Sequence, residues 1–199
     1  MRGFLKASDK GDILKFVFNT VAVVLIVVGI IQAYAPYVGI PDVRESDVRE
    51  ASGRIVMVTG DDIPALLHAA DGKPVMLVLY AAWCGPCHVE MPRIISLMQE
   101  GRLNSVHPLF LSLDEGPRAL AIYLVHHEYH KLFTPYLYQE EHMLPLLRTL
   151  HAAGSHFSGS IPYTGIFDAQ GKLVAETLGA VDSDELLQAM EKAIKNPHP

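Results

Sequence analysis

Hydrophobic positions along this chain fall into two regimes. From Phe16 to Ala35 there are 20 consecutive residues without a charge, built mainly from Val, Ile, Leu and Phe. About 20 apolar residues suffice for a helix to cross a hydrocarbon core of about 30 Å, so the pattern predicts a membrane span, with the anchor set at residues 13–35. Arg2, Lys6, Lys10 and Lys15 precede it, and Asp42, Glu45 and Asp47 follow it beside Arg44 and Arg49. The excess of basic residues on the first flank places the N-terminus in the cytoplasm and the remainder outside. Ala33-Tyr34-Ala35 resembles a cleavage site, but Pro36 would follow the cut and the apolar run exceeds a signal core, so an uncleaved anchor is expected. Residues 36–53, with prolines, glycines and charges, read as a tether, and 54–199 as one globular domain.

Past the tether the apolar runs shorten and alternate with turn residues. Ile55–Val58 is a short strand candidate, and Asp61-Asp62-Ile63-Pro64 opens a helix carrying Leu66 and Leu67. Val75–Tyr80 is apolar at all six positions, the pattern of a central strand covered on both faces. Met91, Ile94, Ile95 and Met98 recur at helical spacing, predicting a helix from near Gly85 to about Glu100 with a kink at Pro92. Leu109–Leu113 is the next buried strand and Pro117 to about His130 the next helix, so the two strands form a right-handed crossover pair and run parallel. Between Lys131 and Ser160 the pattern is least regular, extended at Phe133–Tyr136 and helical from Glu140 to Ala153. Tyr163–Phe167 and Lys172–Thr177 flank Asp168-Ala169-Gln170-Gly171, a hairpin signature. Asp182 and Glu185 then open an amphipathic helix through Leu186, Met190 and Ile194.

Composition narrows the function classes. Half the residues are apolar, enough for a sizeable core. The formal net charge is -6, and after Tyr34 there are 12 basic against 20 acidic residues, giving -8. A nucleic-acid partner is excluded, because neutralising phosphates needs a basic face. The only two cysteines, Cys84 and Cys87, share one motif and leave nothing for a structural disulfide framework. Such a pair can close a disulfide, ligate a metal or, with His88 completing Cys-x-x-Cys-His, capture a c-type haem. A sulfur at a helix N-terminus lies against unpaired amides and the positive end of the dipole, so the Cys84 thiol should ionise below the free-thiol value of about 8.5. A metallochaperone site would add His126 and His130, one helical turn apart. Yet 38 residues separate Cys87 from His126, and His127 and Glu128 suggest a solvated face.

The element order, together with Trp83-Cys84-Gly85-Pro86-Cys87, resembles the thioredoxin fold, an α/β architecture with a central mixed sheet flanked by helices. Pro92 stands where thioredoxins kink this helix, and Ile161-Pro162 precedes the hairpin where the family has a cis-proline. Glu90-Met91-Pro92, the Asp168 to Gly171 hairpin and the N-terminal span bring the chain closer to the membrane-anchored TlpA-like and ResA-like thiol-disulfide oxidoreductases. One departure is Val78, which stands where soluble thioredoxins keep a buried aspartate.

The resemblance implies a protein-disulfide reductase in which Cys84 attacks, Cys87 resolves and no cofactor or metal is bound. It assigns Glu90 to tuning the cysteines, as against merely complementing the helix dipole. It also gives Gly85, Pro86, Ile161 and a cis Pro162 to the substrate-facing surface, with Trp83 either a substrate platform or packing. Gly-Pro between the cysteines resembles the reducing members. The implied partners are disulfide-bearing extracytoplasmic proteins as substrates and a membrane thiol conduit as electron donor. The implied location is the bacterial inner membrane with the domain in the periplasm, where cytochrome c biogenesis is one setting. The c-type haem and metallochaperone readings remain the alternatives.

Overall fold

The computed structural model of the chain describes residues 19–25, 43–68, 72–179, 184, 186–189 and 191. The chain divides into two compact units, 1–42 and 43–199. In the first, residues 19–25 are helical with mostly exposed side chains. The rest of the predicted span lies outside the described residues, and among those described no helix is long and apolar enough to cross a membrane. All remaining elements belong to the second unit.

That unit is built on β2 (Val75–Tyr80), whose six side chains are all buried. Full burial of such a side chain contributes about 1.5–3 kcal/mol, so the strand leading into the cysteine motif is firmly held. It pairs in parallel with β3 (His107–Ser112) and antiparallel with β5 (Tyr163–Phe167). The sheet is completed by β1 (Val56–Val58), β4 (Pro135–Tyr138) and β6 (Leu173–Leu178), in the order β1-β4-β3-β2-β5-β6. The expected parallel crossover and the hairpin are both present, and the sheet is mixed. The least readable segment inserts β4 between β3 and β1, parallel to both.

Because side chains alternate along β2, the sheet carries two cores. Met76, Val78 and Tyr80 face the first, with α1 (Glu45–Arg54), α3 (Cys87–Gln99) and α4 (Pro117–His126). Val75, Leu77 and Leu79 face the second, with α2 (Ile63–His68) and α5 (Leu144–Ala152). Leu186, from the predicted C-terminal helix, is buried in the first core, whereas Asp182, Glu185, Met190 and Ile194 lie outside the described residues.

Several expectations are corrected. Most of the tether's second half is α1, where Val48 and Ala51, three apart on one face, are 3% and 1% exposed. Arg118 grips Glu45 of this helix with two parallel hydrogen bonds at 2.9 and 3.0 Å. The helix expected to reach His130 stops at His126, since Glu128 adopts a left-handed φ of 59°, and a 3-10 turn follows at Tyr129–Lys131. The helix expected from Glu140 begins at Leu144, with Pro145 in its first turn where a missing amide costs nothing.

Candidate active site

β2 ends at Tyr80, and the chain turns through Ala81, Ala82 and Trp83 before α3. Cys84 precedes that helix by three residues, and Cys87 is its first residue, slightly later than the sequence predicts. The Cys84 amide closes a turn onto the Ala81 carbonyl at 3.1 Å, and the Cys84 carbonyl accepts from Cys87 and His88. The two cysteines form a disulfide with a Cα separation of 5.3 Å. The Cys87 amide donates to the Cys84 sulfur at 3.2 Å, so a first-turn amide of α3 is aimed at that atom. Cys84 is 4% exposed and Cys87 fully buried, which leaves Cys84 as the sulfur a partner can reach.

The other residues singled out in the sequence divide by position. Trp83 is 67% exposed, packing mostly against solvent, and Gly85 and Pro86 are exposed beside it. The Ile161-Pro162 bond is cis. Leu79 pairs with Tyr163, so Pro162 stands at the cysteine end of β2, and half-buried Ile161 packs against the core that contains both cysteines. Glu90 is fully buried one turn beyond Cys87 and accepts a hydrogen bond from Thr164 Oγ1 at 3.1 Å. Thr164 is the β5 partner of Val78. The glutamate thus reaches the part of the core where the aspartate of soluble thioredoxins is missing.

Three groups were not legible as site residues. Asp114, just past β3 and 4% exposed, accepts the Ala82 N–H on both oxygens, at 3.1 and 3.0 Å, and the Ser112 hydroxyl at 2.7 Å. The Tyr80 hydroxyl is buried with no hydrogen-bond partner among the described residues. Burial, followed by neighbouring Tyr123 and Asp114, pushes it well above the ordinary tyrosine range, so it stays protonated. His127 stacks near Tyr129 and faces His88, and burial followed by His126 and His88 lowers its pKa. A run such as Leu-Ser-Leu-Asp carries no signal that its aspartate will meet a turn some thirty residues earlier.

The alternative chemistries need atoms that are engaged here. A c-type haem would take both sulfurs and an imidazole nitrogen of His88, so it would require the disulfide and the 2.8 Å contact of His88 Nε2 with the Ala82 carbonyl both to open. Among the described residues no group of three or more His, Cys, Asp or Glu is disposed to hold a metal ion, so His126 and His130 are not gathered with the cysteines into such a site.

Comparison with known proteins places this geometry. The model of the AhpC/TSA family matches residues 53–177. Among curated proteins, the thiol-disulfide oxidoreductase ResA of Bacillus cereus is 23% identical over 121 residues, 61% of this chain and 64% of that protein. A chloroplastic F-type thioredoxin of Spinacia oleracea is 34% identical over 62 residues, 31% of this chain and 30% of its own length. The chain therefore spans less than two thirds of either relative. Among solved structures, a thiol:disulfide interchange protein of the thioredoxin family from Chlorobium tepidum TLS superposes with a TM-score of 0.50 at 18% identity, covering 65% of this chain and 83% of that one. That likeness supports the thioredoxin-like fold.

Proposed function

Since the chain belongs to the AhpC/TSA family, we propose that it is a thiol-disulfide oxidoreductase that reduces disulfides in other proteins through the Cys84–Cys87 dithiol. The observation that carries this reading is the Cys87 amide aimed at the Cys84 sulfur at the start of a helix. When the pair is reduced, that amide and the helix dipole favour the Cys84 thiolate. The thiolate attacks one sulfur of a substrate disulfide, forming a mixed disulfide and releasing the other substrate sulfur as a thiolate. Cys87, deprotonated, attacks Cys84 and expels the second substrate thiolate. Two electrons pass to the substrate, and the pair ends in the oxidised state described above. An external dithiol must then return two electrons.

The finer reading adds a setting. The apolar run at 16–35 and its basic flank support an anchor in the bacterial inner membrane with the domain in the periplasm. Disulfide-bearing extracytoplasmic proteins are then the substrates, and a membrane thiol conduit is the donor. The ResA relative and the Glu90-Met91-Pro92 motif support this branch. Insulin reduction in the presence of dithiothreitol tests the chemistry: the chain should accelerate precipitation of the insulin B chain, and Cys84→Ser should abolish the acceleration. Turnover surviving in that variant would refute Cys84 as nucleophile. For the anchor, the full chain should stay with membranes through alkaline carbonate extraction, and release into the supernatant would refute it.

A further inference from the structure

His88 sits on the first turn of α3 at an exposed position, where its ring would ordinarily be solvated. Instead its Nε2 lies 2.8 Å from the carbonyl oxygen of Ala82. A carbonyl can only accept, so this nitrogen carries the proton. The Ala82 N–H points onto both oxygens of buried Asp114, which the Ser112 hydroxyl holds in turn. Ala82, two residues before Cys84, is therefore gripped at its N–H from the end of β3 and at its C=O from α3. Edge-on packing of the His88 ring against Tyr123 at 5.1 Å and His127 at 5.6 Å restricts where that nitrogen can point.

We propose that His88 is a positioning residue for the attacking sulfur: through the Ala82 carbonyl it keeps the backbone of Cys84 aligned with the amides of α3 while the disulfide is open. This rests on the reading of Cys84 and Cys87 as a redox dithiol. In the oxidised state the S–S bond ties Cys84 to the helix, and the grip on Ala82 is redundant. On reduction that tie is lost, and Cys84 is held by its turn to Ala81, by the Cys87 and His88 amides on its carbonyl and by whatever fixes residues 81–83. The bond from His88 therefore favours the reduced state selectively. Stabilising the reduced form makes a dithiol more oxidising, so removing the bond should make this pair more reducing.

The test uses the full chain in detergent. His88→Phe keeps a ring against Tyr123 and loses the donor, His88→Ala loses both, and His88→Gln keeps an N–H that can reach the carbonyl. One hydrogen bond shifts an equilibrium by a few fold. The equilibrium constant with glutathione should move about fivefold toward the disulfide in His88→Phe and His88→Ala, about 20 mV at roughly 30 mV per tenfold. Alkylation of Cys84 by iodoacetamide, read in a Cys87→Ala background, should slow by a similar factor. His88→Gln should stay within about twofold of the parent in both. Donor-free variants with the parent's potential would overturn the proposal, as would a Gln variant displaced as far as the Phe one. Both readouts follow the thiols rather than turnover, so a parent that fails to reduce insulin would refute the proposed function without deciding this result.

Discussion

At the scale of single residues, Glu90 of α3 meets Thr164 of β5 at 3.1 Å, one helical turn beyond Cys87. Val78 replaces the aspartate of soluble thioredoxins and is fully buried, and its sheet partner Thr164 donates to Glu90. A carboxylate from α3 thus approaches the core region that a strand residue serves in soluble thioredoxins, and the proposal that Glu90 tunes the cysteines is tested by removing its charge. Glu90→Gln removes a negative charge one helical turn from Cys87, so the thiols should deprotonate at lower pH wherever Glu90 is ionised. Thiolate absorbance near 240 nm, followed through a pH titration of the reduced protein, checks this. An unmoved titration would reduce Glu90 to a dipole-complementing residue. The Cys84–Cys87 pairing and the cis bond before Pro162 were legible because the spacing of local motifs carries that information. The Asp114–Ala82–His88 arrangement was not, since two of its bonds end on backbone atoms of a turn, and any residue type could have supplied those.

At the scale of elements, the strands and the cysteine helix were readable because burial on one or both faces leaves a period in the sequence. α1 left almost none: its ten residues contain only Val48 and Ala51 as buried positions among charges, serines and a glycine, and composition alone says tether. The loop after α5 is the converse case, an irregular segment held by polar contacts. Glu176 on β6 accepts hydrogen bonds from Ser155 Oγ at 2.7 Å, the His156 amide at 2.9 Å, His156 Nδ1 at 2.7 Å and the Tyr163 hydroxyl at 3.1 Å. Burial alone would raise the Glu176 carboxyl, but the bonds from Ser155, His156 and Tyr163 outweigh it and hold the group below its ordinary value of 4.5. A carboxyl lowered by folding contributes stability that is present above its unfolded pKa and is lost as pH falls through the folded one. Thermal unfolding from pH 6 to pH 3 should accordingly show a loss of Tm below about pH 4.5 that is smaller in Glu176→Gln. The variant should also be less stable than the parent at pH 6. Parallel curves would show that the carboxylate is not the titrating staple.

For the whole molecule, the sheet order separates two kinds of work. One core, with α1, α3 and α4, contains both cysteines; the other, with α2 and α5, packs on the opposite face of the sheet. The fold class was legible from element order and motif together. The position of β4 was not, because inserting a strand between β1 and β3 is a long-range pairing that leaves no local signal. The acidic balance after Tyr34 is a property of the surface as a whole and says more about which partners are repelled than about the fold.

With α1 bonded into the core rather than free, only residues 36–42 separate the proposed span from the folded unit. Seven residues reach at most about 25 Å when fully extended, at roughly 3.3–3.6 Å each. If residues 16–35 anchor the chain as proposed, a domain joined through so short a leash would work only close to the bilayer. Under that proposal its effective concentration would be higher for disulfides presented near the bilayer than for those that diffuse freely beyond it. The length of the leash, more than any side chain at the cysteines, would then select newly exported and membrane-bound chains as its clients.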